Sequence, residues 1–139
     1  MKETEILSSS FRDPSGSVFC KEDQIYRQIN LTYQSQFEHL VSSGLYDTLI
    51  QKNLLITHDE IAENNFSVAE NCYKIIKPKQ IPYISYPYEW SYSQLKDAAL
   101  CTMQVQELAV AHGMVLKDAS AYNIQFLNGR PVFIDTLSF

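Results

Sequence analysis

Three oxygen-bearing side chains near the end of the sequence have the types and spacing that phosphoryl chemistry uses. Asp118 lies in the polar run Lys117-Asp118-Ala119-Ser120-Ala121-Tyr122, Asn123 follows five residues later, and Asp135 closes the apolar run Pro131-Val132-Phe133-Ile134. Hard divalent cations take carboxylate and amide oxygens, and phosphoryl transfer gathers such ligands at one spot. A loop aspartate can accept a proton or orient a nucleophile, an asparagine can hold a metal, and a second aspartate can bridge metal and phosphates. Asn123-Ile124-Gln125-Phe126-Leu127 alternates in polarity, and Asn128-Gly129 is the strongest short signal for a two-residue hairpin turn. Such a hairpin brings Asn123 and Asp135 to its open end. The same residue types also cap backbone amides in ordinary turns, which is the alternative reading of all three.

The elements that must position this hairpin lie upstream. Residues 92–111 carry a helical stripe of Leu95, Ala98, Thr102, Val105 and Ala109, with Met103 and Leu108 beside it, read as core. Ser91 or Ser93 can N-cap this helix, Gly113 ends it, and His112 sits at its C-terminus, where the dipole favours it. Cys101, mid-helix among apolar neighbours, reads as an inert packed thiol. Met114-Val115-Leu116 reads as a further short strand. Three of the five prolines fall between Lys77 and Trp90, so residues 81–90 read as extended segments and a stiffened connector, with packed Tyr and Trp side chains.

Nearer the N-terminus, Ser17-Val18-Phe19-Cys20 and Ile25-Tyr26-Arg27-Gln28-Ile29 flank four polar residues and read as a second hairpin. Arg27 shares a strand face with Ile25 and Ile29, so it must either snorkel or meet a carboxylate. Tyr33, Phe37, Leu40, Val41, Leu45 and Leu49 follow a helical period that Ser42-Ser43-Gly44 interrupts, giving a broken helix or two short ones. Residues 54–57 read as a strand, residues 59–71 show no clear pattern, and residues 73–78 are extended. Residues 1–10 are polar and read as disordered. The expected fold is α+β: one domain over 1–139, with a small antiparallel sheet, helices, a connector, a long helix and the final hairpin.

Composition narrows the function classes. The chain has 139 residues, 45% of them hydrophobic, enough to bury a core. Its net charge of −5 and the lack of any basic run argue against nucleic acid or an anionic membrane as partner. No stretch reaches the roughly 20 apolar residues of a membrane span, and no signal-peptide pattern opens the chain, so a cytoplasmic location is expected. Three scattered cysteines fit reduced thiols there. The four glycines stand alone, so neither a GxGxxG turn nor a Walker loop can be written.

His112-Gly113-Met114-Val115-Leu116-Lys117-Asp118 through Asn123-Ile124 resembles the catalytic loop of the protein-kinase and small-molecule phosphotransferase superfamily. Phe133-Ile134-Asp135-Thr136-Leu137 is similar to that superfamily's metal-binding strand end. The resemblance implies a small lobe, a hinge and the start of a large lobe. It makes Asp118 the base, Asn123 and Asp135 the metal ligands, Arg27 the stand-in for a nucleotide-binding lysine and Glu38 its helix partner, with Mg²⁺ and ATP as cofactors. The sequence departs from the pattern in lacking a glycine-rich loop and in having Thr136-Leu137 after the aspartate.

A second resemblance covers nearly the whole chain. Ser10-Phe11-Arg12-Asp13-Pro14-Ser15-Gly16, Tyr26-Arg27-Gln28-Ile29 and the runs 85–91 and 116–126 resemble the N-terminal region of large bacterial proteins described as class I SAM-dependent methyltransferases and related to the nodulation protein NoeA. It implies a parent protein that uses SAM at a site outside this segment. The segment would be a kinase-like module, inactive by itself, whose partner is the C-terminal remainder of the same polypeptide and whose small-molecule substrate is unknown. The alternatives are an ATP- and Mg²⁺-dependent phosphotransferase in the intact protein and a non-catalytic interaction or regulatory domain.

Overall fold

The computed structural model describes residues 5–6, 13–62, 66 and 70–139. The fold is α+β, and the chain divides into two compact units, Met1–Phe37 with Thr57–Gln80 and Glu38–Ile56 with Ile81–Phe139. The disorder expected for residues 1–10 falls outside the described residues, except that Glu5–Ile6 form a short strand, β1.

The first unit is built on an antiparallel sheet of β1, β2 (Gly16–Lys21), β3 (Gln24–Asn30), β5 (Cys72–Pro78) and β4 (His58–Ile61), in the order β1-β2-β3-β5-β4. Val18, Phe19, Ile25, Tyr26 and Ile29 supply the β-branched and aromatic side chains that suit a half-buried pleated surface. The expected hairpin is present with a shorter turn. Glu22 and Asp23 alone form it, both with positive φ (53° and 60°), and Lys21 and Gln24 already pair across the ladder. Ile29, Ile75 and Ile76 are fully buried, and Phe19, Tyr33 and Phe37 nearly so. Phe19, Tyr26 and Phe66 pack ring on ring. Arg27 meets a carboxylate: its Nη2 lies 3.2 Å from Asp13 Oδ2.

α1 (Gln34–Ser42) and α2 (Leu45–Gln51) are the two short helices that Ser42-Ser43-Gly44 suggested, with Gly44 at φ 82° between them. The second unit gathers Leu40, Leu45, Leu49, Leu54, Leu55, Trp90, Val105, Ile124, Phe133 and Phe139 into one core. Its main support is α3 (Tyr92–Ala111), capped by Ser91: Ser91 Oγ accepts from Gln94 N at 3.2 Å while Gln94 Oε1 accepts from Ser91 N at 2.9 Å. Gly113, at φ 77°, ends the helix in the left-handed conformation that favours glycine. At that end His112 Nδ1 donates to the Leu108 carbonyl and His39 Nε2 to the His112 carbonyl, each at 2.8 Å.

Several expectations change. Met103 is 69% exposed and Leu95 44%. The buried stripe is Ala98, Cys101, Val105 and Ala109, because small side chains let the helix approach its neighbours. Residues 114–116 form no strand, since Met114 N closes the helix end on Ala109 O. Residues 54–57 make only a single parallel bridge, Leu55 to Phe133. Residues 81–90 contain no strand but a 3₁₀ turn, Pro87–Glu89. Tyr83, Tyr88 and Tyr92 are exposed there, and Trp90 alone of that aromatic group is buried. Proline removes the ladder donors a strand would need.

Candidate functional site

The final hairpin is β6 (Ile124–Leu127) and β7 (Arg130–Phe133), joined by Asn128-Gly129 at φ 52° and 75°. Its open end is fixed by main-chain bonds. Ile134 N donates to Asn123 O at 2.9 Å, and bonds from Phe133 N to Leu54 O and from Ile56 N to Phe133 O tie β7 to residues 54–56 at 2.9 and 2.8 Å. From the other side, Gln125, 5% exposed, clamps the connector: its Oε1 accepts from Ser85 N and its Nε2 donates to Ser85 O, at 2.9 and 3.0 Å. Ser85 Oγ accepts from Trp90 Nε1 at 2.9 Å, and Trp90 packs edge-on against Phe126.

At this open end Ser138 is bonded by the main chains of Asp118 and Asp135 and by the side chain of Asn123. The Ser138 carbonyl accepts from Lys117 N at 2.8 Å and Asp118 N at 3.5 Å, while Ser138 N donates to Asp135 O at 3.2 Å. Asn123 Nδ2 donates weakly to Asp118 O and Ser138 Oγ, both at 3.4 Å. Asp118 Oδ1 accepts from Ser120 N, and Asp135 Oδ1 accepts from Leu137 N, each at 2.9 Å. Both aspartates therefore shape turns in the way the plainer reading expected. Carboxylate and amide oxygens are the chemistry that Mg²⁺ or Ca²⁺ takes, but the contacts that join these three residues run through main-chain atoms and the Asn123 amide nitrogen. Among the described residues, no three His, Cys, Asp or Glu side chains converge as a metal cluster.

The other two residues of interest are Arg27 and Glu38. Arg27 belongs to the first unit, half-buried on β3 and engaged by Asp13. Glu38 is exposed on α1. Sequence reasoning missed Ser138 and Gln125. The pattern gives no signal for Gln125, which alternates with Ile124 and Phe126 on the polar side of the strand and is buried by its bonds to the connector at Ser85. Ser138 has none, because its burial comes from the terminal tetrapeptide folding under Lys117 and Asp118, with Thr136 and Leu137 buried beside it.

Electrostatics elsewhere in the second unit are simple. Burial pushes the Cys101 thiol up to about 11, and its Sγ lies 3.8 Å from Pro131 O, as suits an unreactive packed thiol. Local desolvation, and after it the neighbouring Glu89, Tyr86 and Tyr122, raise the hydroxyl pKa of the exposed Tyr88. The Tyr86 and Tyr88 rings stack with centroids 5.5 Å apart. No helix among the described residues is long and apolar enough to cross a membrane.

Fold and site together describe an α+β chain in which the loop at 117–123 is bonded to residues 134–138 at the open end of a two-stranded hairpin. No protein-family model and no solved structure matches it. The chain is similar to the nodulation protein NoeA of Rhizobium meliloti (strain 1021), with 34% identity over 133 residues, 95% of this chain. It spans 28% of that relative's length.

Proposed function

We propose that this chain is a kinase-like module of a larger bacterial protein of the NoeA kind, and that the open end of the β6–β7 hairpin binds a divalent metal with a nucleotide. The observation that supports the reading is that the main chains of Asp118 and Asp135 and the side chain of Asn123 all bond Ser138. In this reading Asn123 and Asp135 would hold the metal, which would neutralise phosphate charge, and Asp118 would orient or deprotonate a hydroxyl. The Asx turns support it by fixing where each carboxylate points, so little side-chain entropy is lost on binding. The parent is a SAM-dependent methyltransferase in this proposal, with SAM held outside these residues, since isolated glycines cannot form its loop. The segment alone is inactive, and its natural partner is the remainder of its own polypeptide.

Calorimetric titration of the chain with ATP and Mg²⁺ tests the site. Binding that needs Mg²⁺ and disappears in Asp135→Ala supports it, and binding indifferent to Asp135 removes it. If the intact parent is itself a phosphotransferase, phosphate transfer from ATP is abolished by Asp118→Asn. The exposed tyrosines at 83, 86, 88, 92 and 122 favour a second reading, a non-catalytic interaction or regulatory domain. That reading expects no nucleotide affinity, with binding to the rest of the parent chain instead.

A further inference from the structure

The first unit holds a polar cavity that the reading above does not use. It has a volume of about 270 Å³ and lies where the end of β5 meets the starts of β3 and β4, lined by Gln24, Thr57, His58, Asp59, Lys77, Pro78, Lys79 and Gln80. The strand register creates it, because His58 stands opposite Pro78 and Asp59 opposite Lys77. Its walls are tied down by the backbone. Lys79 N donates to Thr57 O at 2.8 Å, Gln80 Nε2 donates to Pro78 O at 2.8 Å, and Gln80 Oε1 accepts from Ile25 N at 3.4 Å.

The charges in this cavity differ from those elsewhere on the same sheet. Lys74 is matched by Glu60 at 2.7 Å and Arg27 by Asp13 at 3.2 Å. Lys77 and Lys79 form no ion pair with any described residue, although Asp59 stands directly across the ladder from Lys77. The Lys77 ammonium instead lies 5.8 Å from the centre of the Tyr26 ring. Burial lowers the His58 pKa, so its imidazole adds no charge near pH 7. Two lysines against one aspartate leave one positive charge, in a chain whose net charge is −5. Gln24 and Gln80 each use one amide N–H on a backbone carbonyl, at 3.3 and 2.8 Å, and each amide carries a second N–H donor. The Thr57 hydroxyl adds another.

We propose that this cavity is a binding site for a small oxyanion-bearing molecule, a phosphate or carboxylate compound well short of nucleotide size. Lys77 and Lys79 supply the charge, and Gln24, Gln80 and Thr57 supply neutral donors that fix the oxygens. The volume falls just below the usual range of small-molecule sites, which suits a compact metabolite. Ordinary solvation of two surface lysines is the competing account, and it predicts no saturable binding.

The test is a backbone amide NMR titration of the full chain with inorganic phosphate and, separately, succinate, at constant ionic strength. Saturable shifts confined to Gln24, His58, Lys77, Lys79 and Gln80 are expected, with Lys77→Gln/Lys79→Gln weakening the affinity at least about tenfold. The exposed Lys52→Gln serves as a control that leaves binding unchanged, and an intact spectrum of the double variant shows that it folds. Saturation by phosphate alone assigns a phosphorylated ligand, and by succinate alone a carboxylate. Shifts that never saturate, or binding unchanged in the double variant, overturn the proposal. Asp135→Ala leaves this titration unaltered, so the two sites stand or fall separately.

Discussion

The two hairpins turn through the same number of residues with the same backbone signature and very different side chains. Asn128-Gly129 is the pair that a turn with two positive φ angles prefers, whereas Glu22-Asp23 holds the same conformation against the steric preference of both residues. The first hairpin tolerates this because its ladder runs over six residue pairs and β3 is paired again by β5. The second has four pairs and, among the described residues, no further strand beyond a single bridge at Phe133, so it depends on its turn and on packing. Each open end also carries an aspartate that accepts a backbone N–H two residues on, Asp13 from Ser15 and Asp135 from Leu137. Asp13 adds an arginine partner and becomes structural. Asp135 is bound through its main chain to Ser138, which Asp118 and Asn123 also bond, and is the proposed ligand. Local turn chemistry is shared, and the neighbours decide what it is used for.

The largest expected effect comes from removing the packing on which the second hairpin leans. Phe133→Ala, at a fully buried site, should cost about 3–5 kcal/mol. Amide dispersion for 124–139 should collapse first in that variant, and collapse of both hairpins together would show that the ladder difference is unimportant. Next, Asp13→Asn removes the Asp13 carboxylate from the half-buried Arg27 and should cost about 1–3 kcal/mol in urea unfolding. Asp118→Asn, at an exposed loop position, should stay within about 0.5 kcal/mol. Equal costs would erase the distinction between the two open ends.

The turns make a reciprocal pair. Glu22→Asn with Asp23→Gly should stabilise the chain by about 1 kcal/mol, and Gly129→Ala should destabilise it by about as much. A methyl group added at position 129 meets open space, so the backbone conformation alone would be responsible. The smallest effect concerns pH. Burial, helped by Lys74 and opposed by Glu60 and Asp59, lowers the His58 pKa, so the unfolded chain binds more protons than the folded one below about pH 6.5. Stability should be level above that pH and fall as the pH drops through it toward the folded value. His58→Gln should flatten this slope in chemical unfolding measured across the range.

Elements with a local cause were legible in the sequence. α3 has its capping box and terminal glycine, β6–β7 its Asn-Gly turn, and α1 and α2 their break at Gly44. β4 was not legible, because His58-Asp59-Glu60-Ile61 carries two charges and becomes a strand only through pairing with β5. The exposed tyrosines read as packed in the sequence, since aromatic composition reports capacity for burial and not its fulfilment. For the candidate site, Asp118, Asn123 and Asp135 could be named from type and spacing. Ser138, which joins them, could not, because nothing in a terminal Thr-Leu-Ser-Phe states what it will fold beneath.

Side-chain chemistry and local backbone preference were thus set by the sequence alone. It determined an α+β chain, the two hairpins, the long capped helix, an acidic overall charge and an oxygen-rich loop near the end. Tertiary structure decided which of those groups meet. It joined Arg27 to Asp13, left Lys77 and Lys79 around a shared cavity, and bonded the segments that carry Asp118, Asn123 and Asp135 to one residue, Ser138. The physical reason is range: turns and caps are decided within a few residues, whereas pairing and burial depend on segments that only the folded chain brings within contact distance.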